Sequence, residues 1–438
     1  MVTPFARPVG PRSLAARASA AAAAGEILRR VLDDDGTRLL LLVPDPHARF
    51  AAAEVGGPFA AEVLDDGYGV CSYVFAWTPE REPLADGGAL SPYLGGFGDL
   101  RMRPDPATAF PLGDRTWAVV CDAEWPSGEP AGLAPRSVLR AQLAALEEHG
   151  LVPSAGLEHE VVFRDAGGAP LTSHGVDYAL GGTERLAPLL ASLREAAAGL
   201  GVESARAECH PGQYEVVLRH RDPLAACDDA LLLQLLTRRV AARHDVRADY
   251  LAAPEPGQGN SCHVHLSLST PEGPALLSGQ LGAFLAGVLR DARALTAVWA
   301  PTWNSYTRLR TASFSPRVLR WGPDDRTAAV RLCGPPASPR LEFRFAGADA
   351  QPHLVLAALL AAGRAGIEEE LRPPSAGVEV GSLAPTPWEA LAALEEGRVA
   401  ALLGEDVVEQ QAALLREEIA AGLDDVTDFH RRRGSLRS

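Results

Sequence analysis

Residues 156–163, GLEHEVVF, place two carboxylates in a segment that otherwise reads as a buried β-strand. Glu158 and Glu160 are two apart, so on a strand both point to the same side. Held about 6.5 Å apart at an effective dielectric near 20, they repel by roughly 2–3 kcal/mol before any cost of desolvation. A fold that buries this strand must bring positive charge to that side of it.

The 438 residues, 47% of them hydrophobic, can bury more than one core, which predicts one large domain and a smaller one. The longest apolar stretches, RLLLLVP and LVLAALLAAG, fall short of the run of about 20 residues that spans a bilayer, so no membrane segment is expected. An alanine run near the start is followed directly by acids and arginines, the pattern of a leading helix rather than of a signal peptide. Six scattered cysteines without a C-x-x-C pair fit reduced thiols in a cytoplasm. A net charge of −15 argues against unassisted nucleic-acid binding, which needs a concentrated basic face. All 41 basic residues are arginine. The absence of lysine removes P-loop, protein-kinase and pyridoxal chemistry, each of which needs one. Any nucleotide phosphate here must be neutralised by arginines and metal ions.

Residues 14–34 predict a helix, and TRLLLLVPD, YGVCSYVFAWTP and TWAVVCD predict strands among turn-rich loops. A helix starts at Pro135-Arg136 with apolar residues at i, i+3, i+4 spacing and closes on glycine. A boundary near residue 130 divides the chain into 1–130 and 131–438. The second part reads as the strand of Glu158 and Glu160, a helix over 184–199, two short strands about the HPGQ turn, and the strands SCHVHLSLS and RLEFRFAG. Helices over 222–243, 279–299 and 352–370 and a helical last sixty residues complete an α+β class with a mostly antiparallel sheet.

Each of these strands carries polar groups at period two: Glu158 and Glu160, Glu208 and Glu215 about the turn, His263 and His265, Glu342 and Arg344. One such pair would be a solvated strand face. Four in one chain point to several glutamates and an imidazole converging on two divalent cations, a donor set that suits Mg²⁺ or Mn²⁺. Zinc is the weaker reading, because Cys262 alternates to the face opposite His263 and His265. Arg308, Arg326, Arg331, Arg340 and Arg344 are the other half of the pattern, either pairing with the excess acids or clamping phosphate and carboxylate. Metals and arginines together suit phosphoryl transfer from ATP to a carboxylate.

GLEHEVVF, ECHPGQYE, GNSCHVHLSL, NSYTRL and PRLEFRFAGADAQPHLVLAALLAAGRAGI follow the order and spacing of the glutamine synthetase superfamily, type I branch, which this chain resembles from about residue 35 to VTDFHRRR. The resemblance implies an N-terminal β-grasp domain, and then a catalytic domain whose curved antiparallel sheet is surrounded by helices. By the same resemblance Glu160, Glu208 and Glu215 match the ligands of one metal, and Glu158, His263 and Glu342 those of a second. Glu203, His265, Ser267, Arg331 and Arg340 match positions around ATP; Gly259, Arg308, Arg326 and Arg344 match the amino-acid site. Arg326, Arg344 and Glu342 are the residues it implies for the chemistry, in which glutamate is phosphorylated by ATP and an amine displaces phosphate to give an amide. It further implies a homo-oligomer of two stacked hexameric rings.

Ammonia-using members carry a flap glutamate shortly after the NSYKRL motif; here Phe314 stands at the matching position. A phenyl ring cannot pair with ammonium through a carboxylate, but it can line a pocket for an alkyl amine. The family's ammonium-deprotonating aspartate has only Asp86 as a candidate, so the general base is unassigned. These departures resemble the branch that makes γ-glutamyl amides of larger amines. The expected reaction is ATP-dependent joining of L-glutamate to an organic amine; the alternatives are an ammonia-using glutamine synthetase, a non-catalytic relative and, most remotely, a zinc hydrolase.

Overall fold

The computed structural model describes residues 13–34, 36–175, 177–179, 184, 186–312 and 314–435. The leading helix, Leu14–Leu32, begins where the Ser13 hydroxyl accepts the Ala16 N–H at 3.2 Å, and it buries Ala24, Leu28 and Leu32. It packs over a six-stranded sheet of β1 (Arg38–Pro44), β2 (Phe50–Gly56), β3 (Tyr68–Cys71), β4 (Asp99–Pro104), β5 (Phe110–Gly113) and β6 (Thr116–Glu124). The order is β2-β1-β6-β4-β3, with β5 on β6, and β1 runs parallel to β6. The unbroken apolar run of β1 follows from burial on both faces. Leu39, Leu41 and Val43 join the core under the leading helix, whereas Leu42 joins a second core with Leu232, Leu236 and Val240.

The second sheet has nine strands: β7 (Val152–Arg164), β8 (Val202–Ala207), β9 (Gln213–Leu218), β10 (Arg247–Asp249), β11 (Cys262–Thr270), β12 (Gly273–Pro274), β13 (Trp321–Pro323), β14 (Val330–Cys333) and β15 (Arg340–Phe343). Its order is β13-β14-β15-β11-β7-β9-β8, and every pair is antiparallel except β13–β14. One face is apolar: Leu157, Cys262, Val264, Leu266, Leu341 and Phe343 pack into the largest core with the helices Pro135–Glu148, Gln280–Asp291 and Pro352–Glu368. Period-two alternation then forces the charged residues of the same strands onto the other face. Among the described residues no helix is long and apolar enough to cross a membrane.

Two predicted elements differ in extent. The strand read over YGVCSYVFAWTP ends at Cys71, where Ser72–Phe75 turns into a 3₁₀ helix that buries Ser72, Val74 and Phe75. The helix read over 279–299 is two, Gln280–Asp291 and Thr296–Trp299, and the bend between them lets the Trp299 indole donate to the Ala292 carbonyl at 3.0 Å.

A buried arginine joins the first sheet to the helices behind the second. Arg136, on the first turn of the helix Pro135–Glu148 and 2% exposed, reaches Asp122 at 2.6 Å, Asp105 at 2.8 Å and Asp228 at 2.8 Å. Asp228, on the helix Pro223–Arg243, also meets His353 at 2.9 Å. Burial penalises the Arg136 charge, but the three aspartates more than restore it. Arg136→Met leaves the buried Asp228 without its guanidinium, and the expected loss is about 3–5 kcal/mol. It should appear as a lower urea midpoint, with Arg136→Lys falling in between because an ammonium cannot fork to three carboxylates.

Candidate active site

The pairing register brings the polar pairs together. His263 lies opposite Glu158 across β11–β7, Glu160 opposite Glu215 across β7–β9, His265 opposite Glu342 across β11–β15, and Arg331 opposite Glu342 across β14–β15. The four pairs therefore share one sheet face. His265 Nε2 lies 2.9 Å from Glu158 Oε1, and His263 Nδ1 lies 3.7 Å from both Glu158 Oε2 and Glu342 Oε1. Donor atoms of Glu158, Glu215 and His263 all fall within 4.8 Å of one another.

Arginine charge does reach this face, but it pairs with the neighbours of Glu158 and Glu160 rather than with those two. Glu342 is held by Arg344 and by Arg331 Nη1 at 3.0 Å. Arg206 of β8 reaches Glu208 at 2.8 Å and Glu215 at 2.7 Å. Glu160 instead accepts the Ser261 N–H at 2.6 Å and Gln213 Nε2 at 3.3 Å. Gln213 is itself fixed by the Gly259 carbonyl at 2.8 Å and Asn260 Oδ1 at 2.9 Å.

The carboxylates divide electrostatically. Burial opposes ionisation of Glu158, but hydrogen bonds from His263 and His265 hold it well below the ordinary range. Burial likewise opposes the charge on Glu342, and His263 and Arg344 outweigh it. Burial and the neighbouring Glu208 push Glu160 up to about 7, and burial and the Glu158 charge push Glu215 up to about 9. Burial and the Arg344 charge lower His263, toward the neutral imidazole that a ligand needs. A donor set of oxygens with one imidazole, two of whose carboxyls are pushed toward holding protons, fits hard divalent cations that would take the protons' place.

Glu158 and His265 also line a cleft of about 460 Å³ together with Glu203, Ser267 and Arg340, so four of the five expected nucleotide-side residues share one opening. The fifth, Arg331, lines an adjoining cleft of about 620 Å³ with Arg340, Cys333 and Asp324. Gly259 abuts Arg308, where an added Cβ would come 3.3 Å from the arginine Cγ. Arg308 is almost fully buried and commits its guanidinium to the Phe345 carbonyl at 2.8 Å, Ser261 Oγ at 2.9 Å and the Arg344 carbonyl at 3.2 Å. Arg326 stands apart, exposed in the turn between β13 and β14, and among the described residues it makes no ion pair with the cluster. Phe314 is 64% exposed, its ring 6.4 Å from that of His210 in the HPGQ turn. Asp86 is exposed, 3.6 Å from Arg416 of the helix Glu405–Asp424.

Sequence reasoning missed Arg206 and Cys333. Each is two residues from a site candidate, Cys333 from Arg331 on β14 and Arg206 on β8 from Glu208 just beyond that strand's end, so the period-two signal was available. Cys262, by contrast, lies in the apolar core on the opposite face, as its alternation requires.

The profile of the glutamine synthetase catalytic domain matches residues 132–433. The chain is 36% identical to the γ-glutamylethanolamide synthetase GlnA4 of Streptomyces coelicolor over 94% of this chain and 95% of that protein. It is 32% identical to the glutamate–isopropylamine ligase of a Pseudomonas species over 70% of this chain and 72% of that one. The solved GmaS/ADP complex superposes with a TM-score of 0.81 at 27% identity, covering 93% of this chain and 98% of that structure. With the carboxylate–imidazole face, the arginines around it and nearly the whole chain aligned, this protein belongs to the glutamine synthetase family, on the side of its γ-glutamyl–amine ligases.

Proposed function

We propose that this chain is an ATP-dependent ligase that joins the γ-carboxylate of L-glutamate to an organic amine. The observation that carries it is the single sheet face on which Glu158, Glu160, Glu215, His263 and Glu342 gather beside the cleft of Glu203, His265, Ser267 and Arg340. Relatives named for ethanolamide and isopropylamine products support the amine class.

In this reading Glu160, Glu208 and Glu215 hold one Mg²⁺ or Mn²⁺, and Glu158, His263 and Glu342 hold another. Bound there, the ions would neutralise phosphate charge and polarise the phosphoryl oxygens. Arg344 and Arg331 hold Glu342 in the metal-free protein; were Glu342 to turn to a bound cation, Arg344, and Arg331 beside Asp324, would be available to fork onto a phosphoryl group. A glutamate γ-carboxylate oxygen bonds to the γ-phosphorus as the bond to the ADP oxygen breaks. The amine nitrogen then bonds to the acyl carbon, phosphate leaves, and the nitrogen gives up a proton. Arg308 acts by fixing Arg344 and Ser261; direct contact with substrate would require it to leave three partners. Arg326, exposed and unpaired with the cluster, has the freedom to close on a bound substrate. Phe314 presents an apolar face where an ammonium-binding carboxylate would otherwise stand. The same reading carries a cytoplasmic homo-oligomer of two hexameric rings.

Three outcomes are expected. Phosphate release from ATP and glutamate should respond to ethanolamine, putrescine or an alkylamine far more than to ammonium, and Phe314→Glu should move that ratio toward ammonium. Equal or better use of ammonium by the unaltered protein overturns the organic-amine reading. Glu158→Gln should lower phosphate release by roughly 100-fold or more, read as initial rate at saturating Mn²⁺. The third concerns pH. Glu160 and Glu215, raised to about 7 and about 9, keep protons in the native metal-free protein that the unfolded chain releases above 4.5. Their contribution to stability is therefore lost as pH rises from that value toward about 9. In EDTA this part of the melting temperature should decline over that window. Mn²⁺, which must displace those protons to bind, should stabilise more above the Glu160 value than below it.

A further inference from the structure

β14 carries Arg331 and Cys333 on one face, opposite Glu342 and Arg340 of β15. That register turns the Cys333 thiol into the site, where its Sγ donates to Glu342 Oε2 at 3.6 Å. Donor atoms of Cys333, His265 and Glu342 lie within 4.8 Å of one another, with the cysteine and glutamate buried. Nothing in the ligation chemistry needs sulfur there, since magnesium and manganese prefer oxygen.

We propose that Cys333, His265 and Glu342 form a site for a thiophilic divalent cation of the zinc class, which shares Glu342 with the oxygen-rich sites but adds sulfur, and that a cation held there withdraws Glu342 from the working ion. The second half rests on the ligase reading above. The geometry is close to what zinc asks for: tetrahedral bonds of about 2.0–2.3 Å place donors about 3.3–3.8 Å apart, so small side-chain rotations suffice. His265 is oriented for it. Its Nε2 faces Glu158 at 2.9 Å while Nδ1 accepts from Arg340 Nε at 3.3 Å. Because Nδ1 accepts from Arg340, it is the lone-pair nitrogen available to a cation once that arginine turns away. The exposed Arg340 has to move off Nδ1, and Arg331 Nη1 has to give up Glu342 Oε2, which it holds at 3.0 Å. Access is provided by the cleft of Asp324, Arg331, Cys333 and Arg340, which adjoins the nucleotide-side cleft without being the same opening. As the S–Zn bond forms, the thiol proton passes to solvent.

The test uses the full-length protein with Co²⁺ as a spectroscopic stand-in for zinc, Zn²⁺ by chelator competition, and Mn²⁺ by electron paramagnetic resonance. Co²⁺ should give a thiolate-to-metal charge-transfer band in the unaltered protein. Cys333→Ser should abolish it and weaken Zn²⁺ by at least roughly tenfold, with Mn²⁺ binding retained as evidence that the sheet face is intact. Cys209→Ser, which alters the half-buried thiol beside Glu208, should keep the band. Zn²⁺ should displace one bound Mn²⁺ from the unaltered protein and none from Cys333→Ser. Absence of the band, or its survival in Cys333→Ser, overturns the zinc site. Failure of Mn²⁺ to bind either protein overturns the ligase reading instead, while the cobalt band still decides the sulfur site.

Discussion

Mutual repulsion among buried carboxylates on one sheet face is the constraint on which the rest of this structure depends. Three strands, β7, β9 and β15, present glutamates to the same side, and burial leaves little solvent to dilute them. Their charge is met in three ways: by protonation, as at Glu215; by hydrogen bonds from imidazole and backbone, as at Glu158 and Glu160; and by arginine, as at Glu342 and Glu208. Each is a provisional partner that a cation and a phosphate can replace. A face so arranged is stable enough to fold and remains short of positive charge, which is the condition for binding a metal–nucleotide complex strongly.

Arginine does this work everywhere because the chain has no lysine. The consequence differs between the two places where it matters. At Arg136 the planar fork is a structural device: three aspartates, from β6, the loop after β4 and the helix Pro223–Arg243, are satisfied by one buried group, and the N-terminal sheet is thereby tied to the helices behind the second. At Arg344 the fork engages one carboxylate, Glu342, and at Arg331 it divides between Glu342 and the exposed Asp324. The strut is closed on all sides by buried or half-buried aspartates, whereas Arg331 borders an open cleft.

What could be read from the sequence divides along the same physical line. Glu158 and Glu160, His263 and His265, Glu342 and Arg344 were legible because a strand's period of two is local: the residues two apart declare their shared side without knowledge of any neighbour. The paired strands, the helix begun by Pro135 and the opposite orientation of Cys262 were legible for the same reason. Arg206 and Cys333 carried that signal too, but their relevance depends on register, Arg206 against Glu215 and Cys333 against Arg340, and register is set between segments distant in the chain. The Arg136 knot depends on the meeting of residues from four elements, and no periodicity announces it. The inward turn of Arg308 was equally hidden, since a motif gives the residue type but not which carbonyls its guanidinium will find.

Arg308 also shows how the two halves of the site are coupled. Its Nη atoms bind the carbonyls of Arg344 and Phe345 and the hydroxyl of Ser261. Ser261 in turn gives its N–H to Glu160, and Arg344 gives its guanidinium to Glu342. One buried side chain thus spans from the carboxylate group around Glu160 to the carboxylate group around Glu342. Burial lowers Arg308 to about 10, and even so its charge is kept at neutral pH. A shift of either glutamate toward a bound cation is felt at the backbone that Arg308 grips, which is also the backbone that sets the position of Arg344. Because Gly259 leaves no room for a side chain between this loop and Arg308, the linkage is short and closely packed. The two sets of carboxylates are therefore joined through one buried, closely packed guanidinium.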